Sequence, residues 1–248
     1  MSLLAALIIL ATTLITSFIS GIFGMAGGLI LMGVLAGLVS VAMAMIIHGG
    51  IQMFANGYRA YLLRDAIDWR VLGLYCIGAA VGVGTLVFVS WTPDKQMLYL
   101  LLGLTPMLVW LPKERLYLDI QRREHALFAG FAVQALNTLA GVAGPLLDLF
   151  FVHTQMTRQQ IVATKSITQA LSHLIKVGFW TVPVVSAAGW AAMPPLWLFV
   201  AAIPLSMLGT RLGKVILERM SDVNFRKWMK GLVTAIGGVL LLRAAGLY

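Results

Sequence analysis

The sequence predicts an all-α polytopic membrane protein made of two inverted repeats. Each repeat has a Gly-rich broken or re-entrant helix plus about three further membrane helices, in a chain of eight to ten apolar segments. Three observations lead there: the composition, an internal duplication, and the distribution of basic residues between the loops.

Composition comes first. The chain is 60% hydrophobic and 11% charged, with a mean hydropathy of +0.92, whereas a soluble domain carries about a quarter charged residues. Outer-membrane strands alternate apolar and polar positions. Here the apolar stretches are unbroken, as in VLGLYCIGAAVGVGTLVFV (Val71 to Val89), long enough for a helix to cross the hydrocarbon. The surroundings are therefore a lipid bilayer. The net charge of +9 comes without any nucleic-acid motif and reads as basic loops flanking membrane helices. The single cysteine, Cys76, allows no intrachain disulfide and no cysteine metal knuckle.

The apolar segments run 2–20, 24–39, 41–63, 69–90 and 95–112, then 124–140, 144–154, 160–180, 190–214 and 225–246. The first lacks a positive n-region and is expected to be a retained span. The second opens inside GIFGMAGGLILMG (Gly21 to Gly33), where glycine weakens the helix. The third carries a polar face, Gln52, Asn56 and Arg59, at i, i+4 and i+7. The one extended hydrophilic linker is PKERLYLDIQRRE (Pro112 to Glu124). It divides a first membrane repeat, 1–112, from a second, 124–248, with 113–123 as a cytoplasmic linker; the two repeats are expected to form one integrated transport domain.

The second half repeats these features. GIFGMAGGLILM aligns with GVAGPLLDLFFV (Gly141 to Val152), and Gln52, Asn56 and Arg59 align with Gln169, His173 and Lys176. VGTLVFVSWTPDKQ (Val83 to Gln96) is a looser match to the stretch from Leu208 to Phe225.

Charge decides between parallel and inverted halves. If each glycine break is only a kink, seven loop cations fall on one side and eight on the other, which orients nothing. If each break is a reversal, one side collects Arg64, Arg70, the four linker cations, Arg158 and the six from Arg211 to Lys230. That is thirteen, with only Lys95 and Arg243 opposite. The positive-inside rule prefers the second arrangement, with the thirteen-charge side cytoplasmic.

Paired breaks in inverted halves point to a midplane binding site in secondary transporters, because irregular backbone at that depth is tolerated only where it is buried or lines a cavity. The helices restarting after each break, at Gly24, Gly27 and Gly28 and at Gly144 and Pro145, would offer free N–H groups to an anion. The competing reading of the glycines is close helix packing. The two polar faces, each ending in a cation, favour an anionic substrate; the competing reading is snorkelling of Arg59 and Lys176. His48 and Lys165 correspond one turn before the two faces, and Asn137 precedes the second break. Asp148 is an acid deep in an apolar run, a coupling candidate with His173 or a partner for Lys165 or His153.

The quoted glycine segment, the duplication, NGYRAYLLRDAIDWR (Asn56 to Arg70) and the ending GTRLGKVILERMSDVNFRKWMKGLVTAIGGVLLL (Gly209 to Leu242) together resemble the sulfite exporter TauE/SafE family. The resemblance covers essentially the whole chain. It implies a multi-pass protein of the bacterial inner membrane that moves sulfite, sulfoacetate or another organosulfonate. It also implies glycine turns at Gly21, Gly24, Gly27, Gly28, Gly141 and Gly144. Leu31-Met32-Gly33 departs from the family pattern, in which a proline often follows, and the second cluster is reduced to G-x-x-G-P.

No HExxH, Cys/His cluster, paired intramembrane carboxylates or Walker loop is present to carry catalysis or ATP use. The expectation is a transporter without cofactor or metal, whose partners are a small anion and lipid, with no nucleic acid. An anion-selective channel, or a transporter of a different small organic anion, is the alternative. A homodimer is left open by the sequence.

Overall fold

The computed structural model describes residues 2–23, 26–89, 92–112, 116–217, 219–220 and 222–247. Among them the regular structure is helical, without a strand: α1 (Leu3–Phe23), α2 (Ala26–Leu38), α3 (Val41–Leu62), α4 (Trp69–Val89), α5 (Lys95–Leu104), α6 (Arg123–Ala140), α7 (Gly144–Leu149), α8 (Arg158–Ala188), α9 (Leu196–Leu217) and α10 (Asp222–Ala244). Four helical stretches are long and apolar enough to cross a membrane, and α2 is a shorter apolar one. The chain is an all-α multi-pass membrane protein.

The helix ends follow local chemistry. Ser40 caps α3 and Asp94 caps α5, each side chain accepting from a backbone N–H three residues on. Thr157 and Gln160 close a capping box on α8, which starts that helix at the boundary of a polar loop. Pro106 ends α5, and the chain continues as a 3-10 turn over Thr105–Trp110. The apolar segment 144–154 yields only six helical residues, because its hydropathy marks burial and not helix length.

The outer surface is apolar, and a set of polar side chains is buried within an otherwise apolar interior. Phe88 is 91% exposed and Leu196 77%, while His48, Asn137, Ser172 and Lys176 are buried. That inversion suits a molecule whose surroundings are lipid and whose interior is a polar pathway.

Both glycine breaks reverse the chain. A Cβ on Gly27 would strike the carbonyl of Thr16 and the hydroxyl of Ser20. Had the helix continued, Thr16 would lie about 16 Å and Ser20 about 10 Å from Gly27 along its axis, so α2 runs back along α1. At the second break Gly141 adopts φ 78° as the left-handed cap of α6, a conformation that favours glycine. Phe150 then accepts a backbone hydrogen bond from Ile120, before the start of α6, at 2.8 Å. Ten residues have brought the chain back along an 18-residue helix.

Between helices that are not neighbours in the chain, the most extensive pairings are α1 with α9, α4 with α6, α3 with α8, and α5 with α10. Exchanging α1–α5 for α6–α10 in order carries α1/α9 into α6/α4 and leaves the other two pairs unchanged. Helices α3 and α8 run antiparallel: Met45 shares a core cluster with Trp180, His48 meets Lys176, and Arg59 shares a cavity with Ile161 and Lys165. Gly49 permits the crossing, since a Cβ there would press on Val177 and Lys176.

The basic loops gather at one end. The Asp68 N–H donates to Thr164, Gln155 to Gln121, and Arg211 to the Tyr58 hydroxyl at 2.6 Å. These contacts join the neighbourhoods of Arg64, Arg70, Arg122, Arg123 and Arg211. From that end α10 runs 23 residues, about 34 Å, to Arg243. There Arg243 reaches the Tyr99 hydroxyl and Gln96 donates to the Ala244 carbonyl. Lys95 and Arg243 therefore share the opposite end.

Candidate anion-binding cavity

A cavity of about 430 Å³ lies between α3 and α8, closed at the sides by α1, α6 and α9. Its extent follows from the antiparallel crossing. On α3, His48, Gln52, Asn56 and Arg59 present one face to it; on α8, Lys165, Ser166, Gln169, Ser172 and His173 present the other. Arg59 and Lys165 stand toward the basic end, and the His48 and His173 rings, 5.5 Å apart, form the floor. Beyond the floor Met45, Ile46, Ile47, Trp180, Leu198 and the apolar side of α2 pack into a closed core.

Most of the residues singled out in the sequence meet here. Gly28, His48, Gln52, Asn56, Arg59, Asn137, Gly144, Asp148, Lys165, Gln169 and His173 all line the cavity. Gly24 lies outside the described residues. Gly27 does not line the cavity; it is spent on the contact with Thr16, as Gly21 is on a contact with Thr210 and Gly213 of α9. Pro145 sits in the first turn of α7, is buried, and does not line the cavity.

Lys176 is also absent from the lining. It is fully buried, and its Nζ donates to the Gly141 carbonyl at 2.8 Å and to His48 Nδ1 at 3.0 Å. His48 Nε2 lies 3.1 Å from the Gly28 carbonyl. A carbonyl only accepts, so Nε2 carries the proton and Nδ1 accepts from Lys176. One chain of hydrogen bonds thus ties the first glycine break, through His48 and Lys176, to the second.

Charge in the cavity is unbalanced. Lys165 is paired with Asp148. Arg59, half-buried in the wall, has no acid partner among the described residues. The same cavity holds neutral groups able to donate to oxygen, Gln52, Asn56, Ser166 and Gln169, with Ser20 and Ser206 from α1 and α9; the Ser17 and Thr210 hydroxyls also line it but already donate to Ser206. The serines and Thr210 were not singled out in the sequence, because a hydroxyl in a membrane helix bonds its own backbone as readily as a ligand. The dipole argument changes for the second break: α7 has six residues, too few aligned peptides to act as an anion site, so Gly144 contributes only as wall.

The model of the sulfite exporter TauE/SafE family matches residues 9–240. The chain belongs to that family. No curated protein and no solved structure matches it. The TauE/SafE assignment covers both halves of the chain, all the cavity-lining helices, and the two breaks. It makes this protein a membrane transporter of the sulfite-exporter type.

Proposed function

We propose that this TauE/SafE protein is a secondary transporter that moves a small sulfur-containing anion, sulfite or an organosulfonate, across the bacterial inner membrane by alternating access. The observation that carries the reading is Arg59, a cation without an acid partner among the described residues, in a cavity whose other charged side chains, Lys165 and Asp148, pair with each other. A sulfonate or sulfite brings three oxygens and the missing negative charge. Arg59 neutralises it, Gln52, Asn56, Gln169 and Ser166 donate to its oxygens, and Lys165 turns from Asp148 toward it. Asp148 and His173 are the coupling candidates: an anion that takes Lys165 leaves Asp148 able to accept a proton.

The two repeats, 1–112 and 124–248, are inverted, and the thirteen-charge end is cytoplasmic. The symmetric helix pairing and the antiparallel run of α3 and α8 support this arrangement. The cavity then faces the cytoplasm, while the Lys176–His48 tie and the core beyond it close the other side. A closed floor favours a transporter over a channel.

The test is flux of labelled sulfite and sulfonates into proteoliposomes. Saturable flux is expected, and Arg59→Ala should lower kcat/KM at least about tenfold, the scale of losing a charged hydrogen-bonding partner. Unaltered kinetics in Arg59→Ala would remove the site; unsaturable flux with single-channel currents would make the protein a channel.

A further inference from the structure

The deep end of the cavity differs chemically from its mouth. Asn137 is 2% exposed and His173 7%, and both line the cavity. Neither Asn137 Nδ2, Asn137 Oδ1 nor His173 Nδ1 has a hydrogen-bond partner among the described residues. Their neighbours are engaged, apart from Gln134 Oε1, which also lacks a partner among the described residues. Gln134 donates to the Ser172 carbonyl, the Tyr75 and Ser172 hydroxyls bond each other at 2.7 Å, and Trp180 donates to the Thr138 carbonyl. Those bonds hold α6 and α4 against α8 around the deep end of the cavity that both orphaned side chains line. Buried polar groups without partners cost free energy, and here the two side chains that carry three such atoms both line one cavity.

The mouth is a separate locus. Lys165 precedes His173 by eight residues of α8, about 12 Å of rise, and Arg59 follows His48 by eleven of α3, about 16 Å. A bare oxyanion held at Arg59 leaves Asn137 and His173 untouched.

We propose that Asn137 and His173 form a second subsite that reads the far end of a two-ended substrate: an anionic head held by Arg59 and Lys165, and a short tail ending in a hydroxyl or carboxylate oxygen. This rests on the transport reading above and adds a specificity determinant to it. Asn137 donates to and accepts from the tail, and His173 Nδ1 takes whichever role the tail oxygen leaves. The same tail without its oxygen leaves these atoms unpaired, the situation in which a site built for hydrogen bonding discriminates most strongly.

Ethanesulfonate and 2-hydroxyethanesulfonate differ by that one hydroxyl and share the head. In proteoliposomes of the full chain, wild-type KM for labelled 2-hydroxyethanesulfonate is expected to be at least about tenfold below that for ethanesulfonate, the consequence of leaving a buried amide unsatisfied. Asn137→Leu brings the ratio close to one, and His173→Leu, measured in the same way, moves it in the same direction. Equal wild-type KM values overturn the subsite without any variant having to fold, and an unchanged ratio in both variants overturns the residue assignment. If wild-type protein carries neither sulfonate nor sulfite, the transport reading falls and takes the subsite with it. Flux of both sulfonates without discrimination removes the subsite alone.

Discussion

Lys176 illustrates how little a residue type says until its partners are known. Its Nζ meets only neutral acceptors, His48 Nδ1 and the Gly141 carbonyl, in a fully buried setting. Burying an ammonium without an acid costs several kcal/mol, whereas stranding two acceptors costs about 1–3 kcal/mol each. The two totals are comparable, so Lys176→Met should leave the melting temperature of the detergent-solubilised protein unchanged or raised. Flux should nonetheless fall at least tenfold, because the tie between the two breaks is gone. A melting temperature that drops together with flux would make Lys176 a structural lysine. The spacing Gln52, Asn56, Arg59 was enough to show a polar face, and that face does line the cavity. The matching spacing Gln169, His173, Lys176 also shows a face, but periodicity carries no information about depth. Two of its members reach the cavity and the third reaches past it to His48. Asn137 could be singled out as a polar residue before a break; that neither end of its amide is paired among the described residues depends on packing between helices distant in sequence.

The two hairpins are the elements on which the site depends, and their glycines divide into two kinds. Gly28 opens on the cavity, where a Cβ would come no closer than 3.6 Å to Gln52 and 3.7 Å to His48. Gly27, one position earlier, is pressed against the Thr16 backbone, which cannot move aside as a side-chain tip does. Gly27→Leu should therefore force α2 off α1, lowering the melting temperature by several degrees and shifting the protein toward aggregates on size-exclusion chromatography. Gly84→Ala, at a glycine with open space around it, should behave as wild type in both measurements. Equal behaviour of the two variants would mean that the α1–α2 contact does not hold the hairpin. The reversals were legible in the glycine clusters combined with the loop charges. The lengths of the returning helices were not. Composition treats 24–39 and 144–154 alike as apolar runs, while α2 reaches 13 residues and α7 six. The reduced cluster G-x-x-G-P places Pro145 at the start of α7 and leaves Gly141 alone in the left-handed region among the residues of that break.

At the scale of the molecule, the arrangement that made the charges asymmetric also decides which loops share a side of the membrane. Parallel halves would put the α3–α4 loop and the α7–α8 loop on opposite sides, and inverted halves put them together. The hydrogen bonds from Asp68 to Thr164 and from Gln155 to Gln121 draw those loops toward one end, and Trp190, 75% exposed between α8 and α9, belongs to the other. Asp65 and Gln155 are both exposed, and the chain has a single cysteine, Cys76, so a clean background is one substitution away. In a Cys76→Ser protein, Asp65→Cys and Gln155→Cys should both resist a membrane-impermeant thiol reagent applied to intact cells and react with it in inside-out vesicles. Trp190→Cys should do the reverse. Opposite labelling of positions 65 and 155 would return the halves to a parallel arrangement. It would also undo the cytoplasmic orientation proposed for the cavity, since Arg59 and Lys165 lie on the helices that begin or end at those two loops.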